Sequence, residues 1–314
     1  MKNTAAPFYR EAARGPDRAE ARWVRAPDGV RLRIAIWPEG DRGTVLLFPG
    51  RTEYVEKYGP AAARLRARGF ATASVDWRGQ GLAERPLPDR GTGHVSRFTD
   101  YQMDVAATLT TVREIGLPYP YYLLAHSMGG CIGLRSMVEG LDVRAAVFSA
   151  PMWGIAILDM LRPFAWTLAL AARALRFGHM YSPGTSPQNH LGEVSFEKNL
   201  LTTDPQMYAF MRNQLASHPD LALGGPSLHW LHEALNECRA LARAASPQVP
   251  AVTFLGSGDH VIDPSRIHRR MASWPNGRLV VLRGAKHEPM METPAHRNRF
   301  YREVTRHFEL YSPN

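Results

Sequence analysis

Thr44–Phe48 (TVLLF) is a continuous apolar run of strand length, and such a run suits a strand buried on both faces. It opens a regular alternation. Ala71–Val75, Tyr121–Ala125, Ala145–Ser149, Ala251–Leu255 and Arg278–Leu282 read as further strands. Tyr58–Arg68, Phe98–Ile115 and Met128–Val138 read as helices between them, Asp263-Pro264 opens another as cap and first-turn proline, and Thr293–Phe308 closes the chain. Strand and helix taking turns predict an α/β fold, a mostly parallel sheet with helices on both faces. Ahead of it, Glu20–Arg25 and Val30–Trp37 flank Asp28-Gly29, which predicts two antiparallel strands meeting at a tight turn.

The alternation stops between Pro151 and Pro247, where helical segments are separated by clusters such as Ser182-Pro183-Gly184 and Gly224-Gly225-Pro226. An unstructured loop of that length is improbable in a compact domain, so 151–247 reads as a helical insertion between two parts of one core, 1–150 and 248–314. Within it Ile155–Leu175 is the longest apolar stretch, but Asp159, Arg162, Pro163 and Arg173 interrupt it. It is too short in uncharged residues to span a bilayer and reads as an amphipathic helix. Leu161, Phe164, Trp166, Leu168 and Leu170 either face an acyl chain or pack against the core.

The chain carries 38 Lys+Arg against 29 Asp+Glu, a formal charge of +9 with nearly all the cations Arg, a balance that favours anionic partners. No nucleic-acid-binding signature accompanies the scattered arginines, so nucleic acid is not expected. An anionic membrane surface or a phosphate-bearing substrate suits the charge, as does arginine usage without functional meaning. Cys131 and Cys238 lack metal-ligand spacing and read as packing residues. The first twenty residues have no apolar core of a signal peptide, and the expectation is a cytoplasmic protein. Gly79 and Gly81 lack the third glycine and the helix of a phosphate-binding loop. No metal or cofactor is expected.

Ala125-His126-Ser127-Met128-Gly129 lies where a strand passes into a helix. A nucleophile elbow there holds its serine on a strained turn that tolerates only small residues two positions away on either side, and Ala125 and Gly129 meet that demand. A serine hydroxyl needs an imidazole base oriented by a carboxylate, and in sheets of this kind serine, acid and histidine follow in that order. Asp259, in Gly256-Ser257-Gly258-Asp259, and His287, in Gly284-Ala285-Lys286-His287, follow two later strands. The rival Asp263 stands directly before Pro264 and reads as a helix cap. His126 is too close in sequence to turn back on Ser127 and reads as a packed neighbour. The oxyanion donors are expected at the backbone N–H of Met128 and, after Pro49-Gly50, of Arg51. Asp76-Trp77-Arg78-Gly79-Gln80-Gly81 reads as a glycine-punctuated loop fixed beside the site.

Pro49-Gly50-Arg51-Thr52-Glu53-Tyr54, Asp76–Gly81, Gly93-His94-Val95-Ser96-Arg97-Phe98, Ala125–Gly130 and Ala150-Pro151-Met152 follow one another in a succession that resembles bacterial lysophospholipases of the monoacylglycerol-lipase-like branch of the α/β-hydrolases. The resemblance implies an α/β-hydrolase fold, Ser127 as nucleophile, Asp259 and His287 as its partners, and 151–247 as a cap over the site. Pro49-Gly50 replaces the His-Gly of monoacylglycerol lipases, which favours a lysophospholipid over a monoacylglycerol or a small ester. Arg51 and Glu53 are candidate substrate contacts, with Arg51 either meeting a phosphate, pairing with Glu53 or facing solvent. A catalytically silent binding protein of the same fold is the remote alternative.

Overall fold

A computed structural model describes residues 4–156 and 177–312. Its strands are β1 (Thr4–Ala5), β2 (Glu20–Arg25), β3 (Arg31–Trp37), β4 (Thr44–Phe48), β5 (Ala71–Asp76), β6 (Tyr121–His126), β7 (Ala146–Ser149), β8 (Ala251–Gly256) and β9 (Gly277–Leu282). They form one sheet in the order β1-β2-β3-β5-β4-β6-β7-β8-β9. The first three strands and the β3–β5 pair are antiparallel, and every pair from β5 to β9 is parallel. Gly29, at φ +89°, makes the β2–β3 turn.

Side chains alternate across the central strands. Leu46, Phe48, Leu123 and Ala125 belong to one apolar cluster with Val112 and Ile132, whereas Val45, Leu47, Tyr122 and Leu124 belong to another with Leu65, Phe300 and Phe308. Helices Tyr101–Glu114 and Met128–Val138 therefore cover one face, and helices Gly59–Arg66 and Pro294–Leu310 the other. The segment read as one helix from Phe98 divides into a 3-10 turn, Phe98–Asp100, and the helix that follows. The short strand β1 and the helix Arg10–Ala13 had no counterpart in the sequence pattern.

The chain leaves β4 toward β5 on one side and then returns to β6 on the other, so the crevice between β4 and β6 at their carboxyl ends is a topological switch point, where open α/β sheets bind ligands. Register holds the loop after β4 beside the turn after β6, because Phe48 pairs with Ala125.

Of residues 151–247, read from the sequence as an insertion, 151–156 and 177–247 are described, with helices His190–Glu193, Pro205–Ser217 and Leu228–Arg243. Asp204 and Ser227 cap the latter two, accepting from Gln206 and Trp230 N–H at 2.8 and 3.0 Å. Leu161, Phe164, Trp166, Leu168 and Leu170 lie outside the described residues. Among the described residues no helix is long and apolar enough to cross a membrane.

Three fully buried ionic side chains brace the segment that follows β4. Arg33 donates to both Glu56 oxygens at 2.7 Å and, through Nε, to Asp76 Oδ2 at 2.7 Å. Asp76 also accepts the N–H groups of Val55 at 2.9 Å and Leu82 at 2.8 Å. Removing the one cation strands two buried carboxylates, which costs about 3–5 kcal/mol. Arg33→Met is therefore expected to lower the urea midpoint of unfolding by that equivalent; an unchanged midpoint would show that the cluster does not brace the fold.

Candidate active site

Ser127 sits between β6 and the helix Met128–Val138 at φ 49°, ψ −116°, a conformation that costs a non-glycine residue about 1–3 kcal/mol. The neighbouring backbone holds it there. Ser127 N–H donates to Ser149 O at 3.0 Å, while Ser127 O accepts from Gly130 at 2.9 Å and Met152 at 2.8 Å. A side chain at Gly129 would strike the carbonyl oxygens of Phe48 and Pro49, which gives the small-residue requirement its physical cause.

The structure brings the three residues of the sequence-derived set together. His287 Nε2 lies 2.9 Å from Ser127 Oγ, and His287 Nδ1 lies 2.8 Å from Asp259 Oδ2. Asp259 and His287 come from the loops after β8 and β9, adjacent because Gly256 pairs with Leu282. Burial opposes the charge on Asp259, but His287 and the N–H groups of Val261 and Ile262 outweigh it and hold the carboxyl below its ordinary range. Asp263 is elsewhere, accepting the Ser265 N–H at 3.0 Å as the cap of Pro264–Ala272.

The loop after β4 faces Ser127 closely enough that a Cβ on Gly50 would stand 3.1 Å from the Ser127 Cβ. Among the described residues no acceptor engages the N–H of Arg51 or of Met128, the first residue of its helix. The loop is pinned from behind by the Asp76–Gly81 segment. Trp77 Nε1 donates to Pro49 O at 2.9 Å, and Gln80 Nε2 donates to Gly50 O at 2.7 Å and Glu53 O at 3.1 Å.

A cavity of about 480 Å³ opens onto these groups, lined by Arg51, Ser127 and His287 together with Leu191, Leu201 and Met211 from the segment between β7 and β8. The Arg51 guanidinium donates to Gly224 O at 2.9 Å and lies 5.5 Å from the centre of the Trp230 ring. It neither pairs with Glu53 nor meets any other carboxylate among the described residues, and burial pushes its pKa down to about 10. The Glu53 carboxylate is occupied within the protein by Gly50 N–H, Tyr58 OH and Lys57 Nζ.

Residues 39–294 match the family described as serine aminopeptidase, S33. The chain belongs to that family of α/β-hydrolases. Lysophospholipase L2 of Escherichia coli (strain K12) is 34% identical to it over 264 residues, covering 81% of this chain and 76% of that protein. A probable lysophospholipase L2 of Haemophilus influenzae is 26% identical over 286 residues, covering 90% and 89%. A soluble variant of monoglyceride lipase from Saccharomyces cerevisiae, solved with a substrate analog, superposes with a TM-score of 0.73 at 21% identity over 93% of this chain and 95% of that one; this likeness establishes the fold.

In this S33 hydrolase three carboxylate or imidazole groups, from Glu53, His126 and Glu288, approach one another closely enough to hold a metal ion. Sequence spacing gave no sign of such a set, and a cation is already there. Lys57 Nζ bonds Glu53 and lies 2.6 Å from Glu288 Oε1. Lys57, Trp77 and Gln80 are the contributors that sequence reasoning left without a role, although the Asp76–Gly81 motif marked the last two as part of a fixed loop. Losing the Gln80 amide frees the Gly50 and Glu53 carbonyls, and a misplacement of about 1 Å can cost 100-fold in rate. Gln80→Ala is expected to lower kcat on a p-nitrophenyl ester by about 10- to 100-fold while thermal unfolding stays cooperative; an unaltered kcat would show that the amide does not hold the loop.

Proposed function

We propose that the chain hydrolyses the fatty-acyl ester of a lysophospholipid through an acyl-enzyme on Ser127. In this reading His287 Nε2 takes the hydroxyl proton as Ser127 Oγ attacks the ester carbonyl, and Asp259 fixes the tautomer and balances the imidazolium. The carbonyl oxygen becomes an alkoxide held by the N–H groups of Arg51 and Met128. Collapse expels the glycerol oxygen, which receives the proton from His287. Water deprotonated by the same imidazole then releases the fatty acid and restores Ser127.

The names of the relatives, lysophospholipase and monoglyceride lipase, support a lipid ester. The observation that carries the phosphate is Arg51, a partly buried guanidinium that lines the Ser127 cavity with a carbonyl and a tryptophan face for company. Such a fork suits two parallel hydrogen bonds to a phosphodiester. Glu53 is no substrate contact in this reading, since its oxygens are engaged. Segment 151–247 acts as the cap, supplying Leu191, Leu201 and Met211 to the acyl chain. The net charge of +9 suits collection of an anionic lipid from a membrane surface.

Comparing a lysophospholipid with a monoacylglycerol of the same chain length isolates the phosphate, because any damage to the Gly224 contact weakens both. Arg51→Ala is expected to raise KM for the lysophospholipid at least about 10-fold more than for the monoacylglycerol, the loss of a charged hydrogen bond. Equal effects, or a wild-type preference for the uncharged ester, would leave a general lipid esterase; turnover of an aminoacyl anilide in place of either would overturn the ester reading.

A further inference from the structure

Behind Ser127 lies a buried set of four ionisable side chains, Glu53, Lys57, His126 and Glu288, each at most 6% exposed. The contacts of the ring bear on the protonation state of the histidine. His126 Nδ1 lies 2.9 Å from the carbonyl oxygen of Ser149, which only accepts, so Nδ1 carries a proton. His126 Nε2 lies 3.3 Å from Glu288 Oε1 and 3.6 Å from Glu53 Oε1, carboxylate oxygens that also only accept. With an acceptor-only oxygen beside each ring nitrogen, the geometry favours a proton on both.

Charge leads to the same assignment. Two carboxylates and the Lys57 ammonium alone would leave one uncompensated negative charge in the interior, which is expensive. An imidazolium at His126 makes the set neutral. Burial works against that charge, but Glu288 and Glu53 outweigh it and raise the His126 pKa above its ordinary value. The groups facing the ring are Glu53, Lys57 and Glu288, with the His287 ring centre 5.0 Å away and Tyr58 bonded to Glu53.

Three of the members belong to different parts of the site, and Lys57 shares the segment of Glu53. Glu53 accepts the Gly50 N–H of the loop proposed to hold the oxyanion. Glu288 adjoins His287, and its N–H is anchored to Leu201 O at 2.9 Å. His126 adjoins Ser127.

We propose that protonated His126 is a positioning residue: it closes a charge-neutral quartet with Glu53, Lys57 and Glu288 that holds the loops of Gly50, Ser127 and His287 together, and loss of its proton inactivates the enzyme at alkaline pH. The inference rests on the Ser127 reading above. With the proton gone the quartet carries one net negative charge beside the position where the substrate oxygen becomes negative, which opposes the reaction. Because the folded-state pKa is raised, the stability that protonated His126 contributes is complete below the ordinary imidazole value and is lost as pH rises through the raised value.

The test is a charge rescue combined with a direct measurement of the proton. His126→Gln leaves the quartet at one net negative charge and is expected to lower kcat on a short p-nitrophenyl ester by about 10- to 100-fold, with the alkaline limb of the wild-type profile abolished. His126→Gln combined with Glu288→Gln restores neutrality and is expected to recover at least about 5-fold of that loss, again with no alkaline limb. In the wild-type protein, nitrogen-15 NMR of the imidazoles, assigned by comparison with the single variant, is expected to give two protonated nitrogens on His126 at pH 7. A neutral tautomer at pH 7, a wild-type profile in His126→Gln, or no recovery in a folded double variant would overturn the proposal. Absence of ester turnover by the wild type would sink the Ser127 reading instead, and the NMR result would still decide the charge state.

Discussion

Parallel pairing of β4, β6, β7, β8 and β9 is the constraint on which the site depends. It sends every carboxyl end to one edge of the sheet, and the register of Phe48 with Ala125, His126 with Ser149 and Gly256 with Leu282 fixes which loops become neighbours there. A slip of one residue on either side would turn the apolar sets that cover the two faces inside out. The strained Ser127 is affordable only because that register also supplies Ser149 O and Met152 N–H to hold it.

Around this frame the chain uses buried charge as bracing. Arg33 ties the end of β5 to the segment leaving the Gly50 loop, and Arg78 ties Asp104 and Asp28 across the next turn at 2.7 Å each. Such clusters are costly to bury and costlier to break, so their effect is rigidity rather than net stability. The Glu53–Lys57–Glu288–His126 quartet follows the same logic nearest the chemistry. Arg51 departs from it, a guanidinium with no carboxylate among the described residues, facing the cavity that Ser127 also lines.

Much of this was legible in the sequence where a local pattern has one cheap structural solution. Apolar runs gave the strands, Asp263-Pro264 the cap, and Ala125–Gly129 the turn at Ser127, because each depends on sterics or hydrogen bonds within a few residues. What could not be read depends on distant partners. Lys57 is one lysine in a polar stretch until the fold sets Glu288 beside it, 231 positions away. Glu53 looked free to meet substrate, yet folding turns it inward onto Gly50, Tyr58 and Lys57. Among the described residues, Leu191, Leu201 and Met211 of the cavity wall were not singled out either, since they come from helices and turns whose packing no periodicity encodes.

The central claim is that Ser127 is a nucleophile activated by His287. Reaction of the full chain with a fluorophosphonate, followed by peptide mass spectrometry, tests it most directly. The account predicts a single phosphonyl adduct on the Ser127 peptide, formed orders of magnitude more slowly in His287→Ala. An unlabelled folded protein, or an adduct on another residue, would contradict it.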